Sequence, residues 1–188
     1  MQLPRELVDS CRRGEPGAFD DMVRATHRSV YGLVLRIVGN PDDASEVTQD
    51  VYLRAWRGLR NFRGDSELST WLYRIAANTA FSHVRRRARA GVPTDPENMP
   101  DVPAADETEH QADADLMDRA LARLPAQHRA AVVLRDVYGW SCEEIGRVMG
   151  ATEGAVKVRL FRARQRLADE LAASGVVVPI NRRRKKTS

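Results

Sequence analysis

Arg162 and Phe161, with Val158 just before them, carry the side-chain chemistry most in need of a partner. A guanidinium can donate to a guanine edge or a phosphate, and apolar groups of this kind meet thymine methyls in a major groove. Lys157 and Arg164 flank them with charge suited to the DNA backbone. A second set lies earlier, where Thr70, Arg74, Asn78, Phe81 and Arg85 recur at helical spacing and are read as an outward row. Hydrogen-bonding groups, cations and an aromatic on one face hold unstacked bases, and aromatic stacking is worth ~1–3 kcal/mol per base. The loop before it, Phe62-Arg63-Gly64-Asp65-Ser66, has a glycine that allows close backbone approach to a ligand. A third set, Glu46, Gln49 and Asp50 around Leu53, is the mixed acidic and apolar patch of a protein-binding helix. Tyr52 and Trp56 fall on this side too, where either burial within a bundle or a partner would account for them.

Covalent chemistry has less support. Glu46 and Asp50 share a helix face, yet a metal-dependent phosphodiesterase needs further convergent ligands, and none can be named. His27, His83, His110 and His128 stand apart without a triad or a metal motif. Cys11 and Cys142 are far apart with no second ligand at metal spacing, and are read as reduced structural thiols. The expectation is a binding protein, not an enzyme, with no cofactor and no metal.

The elements that must position these groups are helical. Ser141 and Glu144 form a capping box for a helix whose buried side is Ile145, Val148 and Met149; Gly150 stops it, and Thr152 caps the next. On that next helix Val156, Leu160, Ala163 and Leu167 form one stripe, whereas Val158, Phe161, Arg162 and Gln165 point the other way. Two short helices around a tight turn, the second basic outside, are the layout of a helix-turn-helix DNA reader.

The first half reads as a bundle. A short helix spans about Arg5 to Arg13. Phe19, Met22, Val23, Thr26, Val30, Leu33, Val34 and Ile37 recur at three- and four-residue spacing until Gly39-Asn40-Pro41 breaks the pattern. The helix from Asp42 to Gly58 has Ala44, Val47, Val51 and Ala55 on one stripe. A third, Glu67 to Arg89, turns Leu68, Leu72, Ile75, Ala76 and Thr79 inward.

Between Val92 and Asp115 lie eight acidic residues and four prolines with no Lys or Arg, in a chain of 188 residues and net charge +4. Such a stretch buries too little apolar surface to offset its ordering entropy and reads as a flexible linker between two basic modules. Basic modules point to nucleic acid. No run approaches the ~18 apolar residues of a membrane span, and the amino terminus lacks a secretory core, so a cytoplasmic protein without membrane insertion is expected. The RRRKK run at Arg182–Lys186 reads as a solvated tail.

In this order, the segments DDASEVTQDVYLRAW (Asp42 to Trp56), NFRGDSELSTWLYRIAANTAFSHVRRR (Asn61 to Arg87) and LPAQHRAAVVLRDVYGWSCEEIGRVMGATEGAVKVRLFRARQRL (Leu124 to Leu167) resemble the extracytoplasmic-function sigma factors of bacterial RNA polymerase. These are small members of the sigma-70 superfamily with a region 2 and a region 4. The resemblance implies that Glu46, Gln49, Asp50, Leu53 and Trp56 dock on the clamp of the polymerase largest subunit. It implies that Phe62, Arg63, Ser66, Trp71, Arg74, Asn78 and Arg85 capture the opened −10 promoter element. Lys157, Val158, Arg159, Phe161 and Arg162 would read the −35 element. Partners implied are core RNA polymerase, including the flap of its second subunit, promoter DNA and an anti-sigma factor. The chain departs from the family pattern at Phe81-Ser82, where relatives commonly carry a basic or polar pair, at Val158, often a small polar residue, and at Cys142, commonly aromatic.

The expected fold is all-α: region 2 at residues 1–90, a flexible acidic linker at 91–115, region 4 at 116–174 and a basic tail at 175–188. The rival reading is a conventional helix-turn-helix regulator that binds DNA without serving as a polymerase subunit.

Overall fold

A computed structural model describes residues 3–62, 64, 66–91 and 111–173. Arg63, the acidic stretch up to residue 110 and the basic tail lie outside the described residues. The described part is built from helices, in two groups: α1 (Arg5–Arg13), α2 (Ala18–Val38), α3 (Pro41–Leu59) and α4 (Leu68–Arg89), then α5 (Gln111–Ala122), α6 (Ala126–Val132), α7 (Cys142–Met149) and α8 (Glu153–Ala173). A wide π-type turn at Val133–Val137 prolongs α6. Helix α5 thus begins inside the stretch read as linker.

Local signals set the breaks. Gly39 ends α2 at φ 80°, a left-handed conformation that a side chain resists. Asn40 then accepts hydrogen bonds from Asp42 N at 2.9 Å and Asp43 N at 3.1 Å, and Pro41 occupies the first turn of α3. The proline needs no hydrogen-bond partner there, so chain reversal and helix start coincide. Cys11 and Cys142 are both free thiols, and Cys11 Sγ donates to Ala18 O, tying α1 to α2.

Helices α2, α3 and α4 pack on one another through Met22, Val30, Leu33, Ala44, Val47, Val51, Leu72 and Ala76, all buried. Toward its end α2 is buried all round: Leu33, Val34, Leu35, Ile37 and Val38 are covered on every side. A helix that is apolar on all faces must be surrounded. Here α3 and α4 cover one side, and α5 and α6 of the second group cover the other. The second group has its own centre, where α6 and α7 pack against α8 through Val133, Leu134, Ile145, Val156, Leu160 and Ala163. Buried residues of the two groups form one continuous apolar cluster.

Phe81 corrects the expected outward row of α4, since it is 1% exposed and part of that cluster. The arc α4 buries is wider than one stripe because α2, α3 and α7 all pack on it. No helix among the described residues is long and apolar enough to cross a membrane.

Candidate nucleic-acid and partner interfaces

The helix-turn-helix forms as its caps dictate. Ser141 Oγ accepts from Glu144 N at 3.1 Å, and the Glu144 carboxylate accepts from Ser141 N at 3.0 Å. The carboxylate also accepts from Ser141 Oγ at 3.0 Å, and its bonds from the Ser141 backbone N and hydroxyl hold the Glu144 carboxyl below the ordinary carboxylate range, with Arg74 adding a smaller pull. Gly150 ends α7 at φ 62°, and Thr152 Oγ1 accepts from Ala155 N at 3.2 Å to start α8.

Along α8, Val156, Leu160 and Ala163 are buried, while Val158, Phe161, Arg162 and Gln165 stand exposed, with Phe161 72% accessible. An apolar ring so open on an otherwise cationic face has no partner within the fold that would explain it. The cations around it differ. Lys157 Nζ pairs with Glu153 at 2.6 Å, Arg164 pairs with Asp136, and Arg159 leans back on Met149 Sδ at 3.6 Å. Arg162 is exposed beside Phe161. His128, on α6, is pushed below the ordinary histidine range by burial first and then by Arg166, Arg159 and Arg162. Those three guanidiniums therefore act as one positive field, to which Arg166 and His128 were not assigned from sequence.

On α4, Trp71, Arg74, Asn78 and Arg85 fall on one face, with Arg74, Asn78 and Arg85 exposed and Trp71 half-buried. Phe62 tilts against Trp71 with ring centroids 5.3 Å apart, and Ser66 is half-buried just before the start of the helix. Arg74 is not free in this state: its Nη2 pairs with Glu144 Oε1 of α7 at 3.0 Å. Arg63 lies outside the described residues.

On α3, Glu46, Gln49, Leu53 and Trp56 are exposed along one stripe with Asp50 half-buried beside them; Leu53 is 54% and Trp56 57% accessible. Tyr52, left open between core and partner, is buried and shares a 2.8 Å hydrogen bond with Thr26; burial pushes its hydroxyl up to about 12. It forms the floor of a groove of about 640 Å³ between α2 and α3. Trp56 and Leu53 make one wall, and Phe19, Val23, His27 and Tyr31 of α2 make the other. The ring of Phe19 meets Trp56 edge-on at 4.9 Å. Phe19 and Val23, members of the periodic apolar set of α2, are half-buried and pack against the core as well as lining the groove. The signal for a second α2 face was present in the spacing of Phe19, Val23, His27 and Tyr31, each four residues from the last.

Among the described residues, no group of three or more His, Cys, Asp or Glu is placed to hold a metal ion. The exposed faces combine aromatic rings with cations on α4 and α8, and with carboxylates on α3.

Residues 22–90 match the family model of Sigma-70 region 2, and residues 114–167 match that of Sigma-70, region 4. The chain is 40% identical over 178 residues to the ECF RNA polymerase sigma factor SigM of Mycobacterium tuberculosis, covering 94% of this chain and 89% of that protein. It is 38% identical over 183 residues to the RNA polymerase sigma-H factor of Pseudomonas aeruginosa, covering 88% of this chain and 92% of that one. Among solved structures, the sigma factor RpoE in complex with the anti-sigma factor NepR from Bartonella quintana superposes with a TM-score of 0.62 at 26% identity, covering 83% of this chain and 98% of that one. Matches of this extent, over both halves and in the same order, place the chain in a family: it belongs to the extracytoplasmic-function sigma factors of RNA polymerase.

Proposed function

We propose that this sigma factor directs core RNA polymerase to specific promoters by dividing the work among its three surfaces, with binding energy in place of covalent chemistry. The observation that carries the division is their separation: an open aromatic-acidic stripe on α3, an aromatic-cationic face on α4, and Phe161 with Arg162 on α8. Glu46, Gln49, Asp50, Leu53 and Trp56 serve docking on the polymerase clamp, with the α2 wall of the groove adding Phe19 and Tyr31. Phe62, Arg63, Ser66, Trp71, Arg74, Asn78 and Arg85 hold flipped bases of the −10 element, so strand opening is a population shift toward a state that duplex DNA does not offer. Val158, Phe161 and Arg162 read the −35 element, and Lys157 and Arg159 supply charge toward the backbone. The molecule acts where polymerase acts, in the cell interior.

The region 4 domain carried with region 2, and relatives named as RNA polymerase sigma factors, support this over a free-standing regulator. An anti-sigma partner is part of the proposal, on the likeness to a sigma factor solved with one.

The division is tested by two variants in parallel. Asp50→Ala lowers affinity for core polymerase and leaves opening normal once the complex is saturated, whereas Asn78→Ala keeps polymerase affinity and impairs opening, followed by permanganate reactivity of the −10 thymines. Loss of polymerase affinity alone in both variants would overturn the map of region 2.

A further inference from the structure

The last turn of α1 and the end of α3 enclose a cleft of about 340 Å³ that neither the docking stripe nor the α4 face accounts for. Arg12, Arg13 and Arg60 line it, and the buried Cys11 and Leu59 with the exposed Trp56 complete its walls. Gly14 ends α1 at φ 70°, and its N–H donates to Cys11 O at 3.2 Å. Cys11 belongs to the apolar cluster, so the turn that carries Arg12 and Arg13 is anchored.

The three guanidiniums are not equivalent. Arg13 Nε pairs with Glu15 at 2.6 Å, so its charge is already answered at the end of its own helix. The side chains of Arg12 and Arg60 are exposed and have no hydrogen bond or ion pair among the described residues. A cation at a helix C-terminus gains ~0.3–1 kcal/mol from the helix dipole, which would account for an arginine at each end. It does not account for where Arg12 goes. A Cβ on Gly64 would lie 3.5 Å from both Cζ and Nη1 of Arg12, so the guanidinium rests against this glycine. Gly64, at φ 81°, stands in the loop between Phe62 and Ser66. Arg12 therefore reaches from α1 to the loop assigned to −10 capture, and Arg60 stands at the C-cap of α3 just before Phe62. Arg74 and Arg85 recede from that loop along α4; Arg12 and Arg60 are seated at it.

We propose that Arg12 and Arg60 form a phosphate-binding cleft for the opened promoter strand, taking the backbone phosphates next to the base held at the Phe62–Ser66 loop. This rests on the −10 assignment made above. A guanidinium presents a rigid fork of donors to phosphate oxygens, and the resulting charge-assisted bonds are directional. Two forks held on different helix ends fix the course of the backbone, and with it which base falls at the loop. Phosphate contacts position; base contacts specify. An acidic segment of polymerase is the rival occupant, because Trp56 lines both this cleft and the α2–α3 groove. The seat of Arg12 on Gly64 favours the strand, since that loop handles DNA in the proposed function. Each phosphate neutralised releases condensed counterion and adds ~0.7 to the slope of log affinity against log salt for a single strand.

The test uses the full chain bound to core polymerase and a fluorescent single strand whose −10 sequence is recovered by run-off selection from a randomised promoter library. Arg12→Gln and Arg60→Gln should each weaken binding and lower the salt slope by about 0.7, while Arg13→Gln leaves both unchanged. Replacing the phosphates of the strand one at a time by neutral methylphosphonates should find a position whose loss weakens the unsubstituted protein and costs Arg12→Gln nothing further. A slope unchanged in Arg12→Gln and Arg60→Gln, or lowered equally by Arg13→Gln, overturns the cleft. So does a lower urea midpoint with an unchanged slope, which would make the arginines structural. Loss of polymerase affinity with normal strand binding at saturation overturns DNA as the occupant. Asn78→Ala checks the −10 assignment separately: it should weaken binding without changing the slope. If it binds normally while the arginine variants still lower the slope, the base assignment of α4 fails and the phosphate cleft stands.

Discussion

Arg162 stands exposed beside Phe161, while Lys157, Arg159 and Arg164 on the same helix each have a partner within the fold. A guanidinium next to an open apolar ring can pair with a guanine edge while the ring meets a neighbouring methyl. Arg162→Ala should therefore cost ~1–3 kcal/mol at one base position of the −35 element, read by competition among single-base variants of the promoter. Lys157→Ala should weaken all sequences evenly. An even loss in Arg162→Ala as well would reassign it to phosphate. The outward set of α8 was legible in the sequence because that helix has one covered side, so periodicity alone separates Phe161 from Leu160. Phe81 was not legible. Its helix is covered by α2, α3 and α7, and the composition of α4 does not reveal how wide an arc three neighbours bury. Tyr52 was ambiguous for the same reason, and the hydroxyl of Thr26, one helix away, decides it.

Element boundaries follow from caps, and caps are local enough to be read directly. Ser141, Glu144, Gly150 and Thr152 act as their spacing requires. Ser141→Ala should lower the stability of the fold by about 1 kcal/mol, measured by urea unfolding near neutral pH. The same box makes stability depend on acid. Glu144 is held below the ordinary carboxylate range, so its contribution is present when the unfolded chain is ionised and is lost as the pH falls through the folded value. Glu144→Gln should accordingly flatten the loss of stability below about pH 4. Identical acid titrations of the two proteins would remove the capping carboxylate from the account. Gly39 carries a heavier duty than ending α2. Its left-handed φ of 80° disfavours any side chain, and a Cβ there would run into the Arg129 guanidinium. Gly39→Ala should destabilise by roughly 1–3 kcal/mol, seen as a lower urea midpoint with an unchanged slope. The glycine was readable as a helix stop. Its second role was not, since the group it accommodates comes from α6, remote in sequence.

At the scale of the whole molecule, the sequence divides cleanly into two basic parts around an acidic stretch, and both parts match sigma-70 regions in the expected order. How the parts meet is written nowhere locally. Arg36, Asp118 and Arg129 look like ordinary surface charges in sequence, and only the packing of α2 between the two groups turns them inward. The apolar run Leu33-Val34-Leu35 with Ile37 and Val38 was the one available hint, since a helix covered on all sides needs neighbours that the first bundle alone cannot supply. Separate, weak contacts to DNA gain strength when a larger partner fixes their spacing, because the second binding event then occurs at high effective concentration. On the proposed function, selectivity arises from such mounting on polymerase. Run-off transcription from a randomised promoter library, with core polymerase present or absent, tests it most directly. New, sequence-specific start sites are expected only when the chain and core polymerase are combined, with Trp56→Ala and Asn78→Ala each reducing them. Start sites unchanged by the chain, or tight sequence-specific promoter binding by the chain alone that polymerase does not enhance, would contradict it.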